Sequence, residues 1–173
     1  MAGQNKPKIY LDTCFVLDWL TGNQGRGDAH DVGGIISELC SDRFIGVTSV
    51  ITKLEVLECK NDPTMWAVWQ RLQARSNFQV LPVLDRIGDC AYKIRNFYQA
   101  QKDAGAITKK APQVPDTIHI ATAIHAGCDY MVTSDAGRMD SKHLSPLELN
   151  GMVANLWPLR IERPRAVQTA LNI

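Results

Sequence analysis

Apolar positions along this chain switch repeatedly between continuous short runs and helical spacing. Ile9, Tyr10 and Leu11 form a compact apolar run that predicts a buried first strand. Val32, Ile35, Ile36, Leu39 and Cys40 then recur at i, i+3, i+4, i+7 and i+8, the pattern of an amphipathic helix. Phe44 to Thr48 predicts a second strand, followed by a helix carrying Val50, Ile51, Leu54 and Leu57. Asp62-Pro63 supplies a cap and a first helical position for a helix whose inner face is Met65, Val68, Trp69 and Leu72. FQVLPV reads as a third strand, and Ile87, Ala91, Ile94, Tyr98 and Gln101 repeat with helical spacing to about Lys102.

The second half continues the alternation. PDTIHIATAIHAG predicts a helix closed by Gly127 at a left-handed position. CDYMVTSD is a strand and turn, MVANLW a last strand, and the segment after Trp157 has no clear period. Strands alternating with helices predict an α/β domain around a mainly parallel sheet. The loop TGNQGRGDAHD contains Arg26-Gly27-Asp28, an adhesion tripeptide by letter only, in which Asp28 serves equally well as a helix cap.

Composition narrows the class. A chain of 173 residues, 45% apolar and 21% charged, is a single globular domain with room for a real core. A net charge of +1 gives no bulk attraction to nucleic acid or membrane, so any phosphate binding must come from local patches. No run approaches the ~18 apolar residues of a membrane span. MAGQNKPK has no apolar run behind its lysines, so no secretory signal is expected. Five cysteines at 14, 40, 59, 90 and 128 include no Cys-x-x-Cys pair, which points away from zinc and disulfides and toward a reducing, cytoplasmic setting. Cys14, Cys40 and Cys90 read as small core residues.

Four acids stand where ligands gather in such folds, beyond the carboxyl ends of strands. Asp12 closes the first strand, Glu55 lies in the helix after the second, Asp116 opens a helix, and Asp135 follows the next strand. Three have ordinary explanations. Thr52 and Glu55 match a capping box, Asp116 an N-cap, and Asp135 a turn residue before Ala136-Gly137. Asp12 has no countercharge in its own strand. Together, four carboxylates repel one another unless a hard divalent cation such as Mg²⁺ or Mn²⁺ joins them, which is the chemistry of metal-assisted phosphodiester hydrolysis.

Leu11-Asp12-Thr13, the helical LEVLE around Glu55, PDTIHIATAIHAG with Asp116 and YMVTSD with Asp135 occur in an order that resembles the PIN-domain ribonucleases, the fold of VapC-type toxins. The resemblance spans positions 9 to about 135. It implies a three-layer α/β/α sandwich over residues 1–156, with 157–173 as a tail of uncertain structure. It also implies Asp12, Glu55, Asp116 and Asp135 as catalytic ligands of one or two Mg²⁺ or Mn²⁺, with Thr13 and Thr133 orienting them. The fourth acid often contributes least in that family, and Glu58 rivals Glu55. Partners implied are an RNA substrate, an antitoxin protein and a second copy of the chain, with no membrane.

Lys109 and Lys110 precede the Asp116 helix and are candidate phosphate contacts. Arg138, Lys142, His143 and the tail arginines at 160, 163 and 165 are weaker ones. His119 shares a helix face with Asp116 and reads as a supporting or packing residue, whereas His125 reads as surface. Trp66 and Trp69 sit on a helix whose core face makes packing the better reading than base stacking. Met139 stands where the family often has an aromatic, and the chain runs longer than typical toxins of this kind. A stand-alone PIN nuclease or a non-catalytic binding module are therefore the alternatives. A phosphotransferase using Asp12 as nucleophile lacks the second aspartate of Asp-x-Asp.

Overall fold

The computed structural model describes residues 6–22, 29–59, 63–135, 137 and 141–165. Arg26-Gly27-Asp28, Asp62, Arg138 and Met139 lie outside the described residues. Six strands are present among the described residues: β1 (Lys8–Leu11), β2 (Ile45–Ser49), β3 (Phe78–Leu81), β4 (Tyr130–Val132), β5 (Gly151–Val153) and β6 (Trp157–Glu162). They are joined by helices α1 (Thr13–Thr21), α2 (Ala29–Cys40), α3 (Val50–Cys59), α4 (Pro63–Gln73), α5 (Asp85–Asp103) and α6 (Val114–His125). A short 3₁₀ helix, Pro146–Leu149, precedes β5. No helix among the described residues is long and apolar enough to cross a membrane.

The strands form one sheet in the order β3-β2-β1-β4-β6-β5. All neighbours are parallel except β5, which pairs antiparallel with β6. Alternation along β1 divides the core in two. Ile9 and Leu11 face a cluster with Phe15, Val16, Leu39, Trp69 and Leu72 from α1, α2 and α4. Tyr10 faces the opposite cluster, with Ile87, Ala91, Ile94, Ile120 and Ala121 from α5 and α6. Two helical layers thus cover the two faces of a parallel sheet, whose strands must be apolar on both sides. The chain passes from β1 to β2 on one side and returns through β4 on the other. A crevice therefore opens beyond the carboxyl ends of these strands.

Four details differ from the expectations. MVANLW is no single strand: Ala154 (φ 51°) and Asn155 (φ 54°) make a tight turn between β5 and β6. Residues 157–162, read as the start of the tail, form β6, which lies inside the sheet between β4 and β5. Its turn lacks the glycine that marks most hairpins, so the sequence shows no break there. Leu54 and Leu57 face outward on α3, while Thr52 and Val56 are the buried residues. Cys40 is exposed at the end of α2 rather than in the core.

Gly46 in β2 is required by close packing. A Cβ there would lie 2.9 Å from Cδ2 of Phe78 and 3.1 Å from Cδ1 of Leu39. The Phe78 ring is itself pinned edge-on against the fully buried Trp69, 6.0 Å away. Gly46→Ala is therefore expected to cost about 1–3 kcal/mol, the usual range for overpacking. Urea unfolding of the two proteins measures it, and an unchanged midpoint would show that the ring has room to move.

Candidate active site

Asp12 is the first residue after β1 and the N-cap of α1, yet its side chain makes no capping bond. Its carboxylate is only 4% exposed and accepts a hydrogen bond from Thr133 Oγ1 at 2.7 Å. Its backbone N–H donates to the Val132 carbonyl at 3.0 Å. The seam between β1 and β4 therefore holds both the main chain and the side chain of Asp12. Thr133 Oγ1 also accepts the N–H of Asp135 at 3.0 Å. Asp135 in turn uses Oδ1 to accept the Gly137 N–H at 2.8 Å. The turn reading of Asp135 thus holds for one of its oxygens, and the residue also lines the crevice.

The capping explanation of Glu55 falls away, and Asp116 is not the N-cap but accepts the backbone N–H of the residue that is, Gln113. Helix α3 begins at Val50, so Thr52 lies inside it and caps nothing. Instead the Thr52 hydroxyl links that of Thr48 (2.7 Å) to that of Thr13 (3.1 Å), and Thr13 donates to Glu55 Oε2. Gln113 is the N-cap of α6, which leaves Asp116 in the first turn. An anion there is favoured by the helix dipole. Glu55 is half-buried and hydrogen-bonded, whereas Glu58 is exposed and makes no such bond. Both glutamates line the same recess, and of the two it is Glu55 that is tied to the Thr13 and His119 side chains.

His119 ties these acids together. The ring is 2% exposed, with Nδ1 2.7 Å from the Tyr10 hydroxyl and 3.3 Å from Ser49 Oγ. Nε2 lies 3.3 Å from Glu55 Oε2 and 3.7 Å from Asp12 Oδ1. Carboxylates only accept, so Nε2 carries a proton, and in the neutral ring the Tyr10 hydroxyl donates to Nδ1. Burial disfavours the charged imidazole, but Asp12, Glu55 and Asp116 outweigh it and raise the His119 pKa. Burial likewise opposes ionisation of Glu55, yet the bonds from His119 and Thr13 hold its carboxyl below the usual value. Tyr10, Thr48 and Ser49 were not foreseen. The only signal for Tyr10 was its phenol on the opposite face from Ile9 and Leu11.

Asp116 behaves differently. Burial, then the charges of Asp12 and Asp135, raise its pKa to about 6 against a weaker pull from His119. Three carboxylates are therefore close enough to repel. Among the described residues, none of the four acids pairs with a lysine or arginine. Two recesses meet at Asp116. One, of about 280 Å³, lies between Asp12, Cys14, Glu55 and Glu58. The other, of about 410 Å³, runs from Asp135 past Ser141 and His143. Lys109 and Lys110 line neither. The Lys109 ammonium is taken up by Glu148 at 2.9 and 3.0 Å, and Lys110 is exposed.

Oxygen donors held together against their own repulsion fit a hard divalent cation by donor chemistry. Among the described residues, however, no three His, Cys, Asp or Glu side chains already converge on one point. Side-chain rotation would have to complete any shared coordination. The sign of the Asp116 shift makes this testable. A raised carboxyl pKa means that ionisation costs stability, a cost that sets in from about pH 4 and is fully present above about pH 6. At pH 7 without metal, Asp116→Asn is expected to raise the melting temperature by about 2–6 °C. The same variant should lose most of the stabilisation that Mn²⁺ confers on the wild type. A lowered melting temperature for the variant in metal-free buffer would contradict the repulsion.

The fold has known counterparts. A chain of VapBC2 from Rickettsia felis, solved bound to a promoter DNA fragment, superposes with a TM-score of 0.59 at 12% identity, covering 90% of this chain and 98% of that one. A chain of DNA-bound VapBC from Salmonella typhimurium gives 0.54 at 16% identity, covering 92% and 99%. At such identities the likeness speaks for the fold alone. No curated protein matches the chain. A family model described as the PIN domain matches residues 9–141, the whole stretch from β1 past Asp135, and the chain belongs to the PIN domain family.

Proposed function

We propose that this protein is a divalent-metal-dependent endoribonuclease, acting as the toxin of a toxin–antitoxin pair in the cytoplasm. The observation that carries the reading is the gathering of Asp12, Glu55 and Asp116 around one recess and of Asp116 and Asp135 around the recess that adjoins it, with no lysine or arginine paired to any of them among the described residues. A polypeptide keeps such a cluster at a cost, and a cation that binds there offsets the cost. Asp12, Glu55, Asp116 and Asp135 are the residues that would hold Mg²⁺ or Mn²⁺. The ion supplies positive charge for the scissile phosphate and for acidifying water.

The remaining work falls to the chain itself. Thr133 aims Asp12 from β4, and Thr13 and His119 aim Glu55 from α1 and α6. Tyr10 holds the far nitrogen of His119, so the imidazole keeps its N–H toward the acids. These supports make the carboxylates rigid enough that substrate alignment is not spent on ordering them. An antitoxin and a second copy of the chain are the partners that accompany this reading. Support for the first comes from the VapBC identity of the structural neighbours. Leu54, Leu57 and Trp66 offer exposed apolar surface to either.

The reading predicts cleavage of single-stranded RNA with Mn²⁺ or Mg²⁺ and none with EDTA. Asp12→Asn is expected to abolish activity. Thr133→Val, which keeps shape but removes the hydroxyl, should lower it by about 10–100-fold. Gel-resolved cleavage of labelled RNA is the measurement. Equal rates in wild type and Asp12→Asn would end the nuclease assignment.

A further inference from the structure

The larger recess differs in chemistry from the carboxylate cluster it adjoins. Beyond Asp116 and Asp135 it is lined by Gln113, Ser141, His143 and Leu144, and no lysine or arginine lines it among the described residues. Its two carboxylates repel a phosphate, and the rest of its described lining carries no lysine or arginine to attract one. Its volume of about 410 Å³ falls in the usual range of ~300–1,000 Å³ for small-ligand sites.

The wall is built rigidly. Lys110 N–H donates to the Lys142 carbonyl at 2.8 Å, and Leu144 N–H returns to the Lys110 carbonyl at 3.0 Å. Lys109 grips Glu148, whose carboxylate also accepts the Ser145 N–H at 2.9 Å. Two segments that precede and follow the acidic helix are thereby locked together. Pre-ordering of this kind lowers the entropy cost of binding.

Free hydrogen-bonding groups remain on that wall. His143 Nδ1 lies 2.8 Å from the Ala111 carbonyl. A carbonyl cannot donate, so Nδ1 carries the proton and Nε2 of the neutral ring is an acceptor. Gln113 is exposed and makes no side-chain capping bond, and among the described residues its amide has both donors and its acceptor available. Leu144 adds a partly buried apolar surface. Neutral donors and acceptors beside an apolar contact suit the edge and face of an unstacked base, the usual means of reading single-stranded RNA.

We propose that this recess seats the base of a nucleotide next to the scissile phosphate, with Gln113 and His143 reading its edge. The inference rests on the ribonuclease reading for its substrate class, but its chemistry concerns binding and is tested apart from turnover. Short single-stranded RNAs of A, C or U alone would be compared with an abasic RNA of equal length and charge. Affinities would be measured by fluorescence anisotropy in Ca²⁺, for wild type, Gln113→Ala and His143→Ala. The wild type is expected to bind its preferred base-bearing RNA roughly tenfold tighter than the abasic strand, the worth of one or two hydrogen bonds. Each variant should lose most of that margin while abasic affinity stays unchanged, and the melting temperature of Gln113→Ala should equal that of the wild type.

An equal margin in all three proteins, or no RNA binding by the wild type, would overturn the proposal. RNA bound with the expected margin but never cut in Mn²⁺ would leave the recess standing and remove the nuclease assignment. RNA cut normally with no margin to lose would do the reverse. Should His143→Ala fail to fold, Gln113→Ala decides alone, because that exposed side chain makes no hydrogen bond that holds the fold among the described residues.

Discussion

The hydrogen bond from Thr133 Oγ1 to Asp12 Oδ2 stands at the centre of this molecule. It joins the residues that follow β1 and β4, two adjacent parallel strands, and so fixes a nearly buried carboxylate from across the sheet. Without a donor of this kind, an ionised group in such surroundings would carry the full cost of lost solvation. The same hydroxyl receives the Asp135 N–H, so one threonine sets the positions of two acids. The main-chain bond from Asp12 to Val132 keeps the two strands in register at that point. The parallel arrangement matters because it brings both strand ends to one edge of the sheet, where the N-termini of α1 and α6 also arrive.

Around this link the site is asymmetric. On one side, His119 and three threonine hydroxyls form a largely buried polar network that reaches from Tyr10 to Glu55. In a low-dielectric setting such a network is stabilising only when all its members are satisfied. Here the imidazole uses both nitrogens, and burial has raised the Tyr10 phenol well above its ordinary pKa, so it stays a neutral donor. On the other side, Asp116 and Asp135 border an open recess of about 410 Å³ lined by further polar groups. The first half orders the acids, and the second leaves room beside them. Asp116, at the junction, feels both halves and carries the raised pKa that results.

Lys109 shows why charge near a site in sequence does not mean charge in the site. Its ammonium is committed to Glu148, and through the capping interaction of Glu148 with Ser145 it shapes the loop after Asp135. The pair is partly exposed, so its contribution to stability is small, and its effect is chiefly geometric. Lys110 contributes through its backbone bridge to His143.

Much of the architecture was legible because periodicity is a local property. The burial of Ile9 to Leu11, the inner face Met65, Trp69 and Leu72, and the left-handed Gly127 (φ 62°) all follow from spacing or from a single residue's conformational freedom. The β5–β6 hairpin escaped because Ala154 and Asn155 adopt positive φ with no glycine to announce it. The outward face of α3 escaped for a different reason. Its apolar residues repeat at helical spacing, but hydroxyls of Thr48 and Thr13 claim the inner position for Thr52. By itself, then, the order of residues determined the alternation of strands and helices and the acids that follow them. Which neighbour meets which acid was decided only in three dimensions. Those partners, 121 residues apart for Asp12 and Thr133 and 109 for Tyr10 and His119, meet through the sheet order and not through the local pattern.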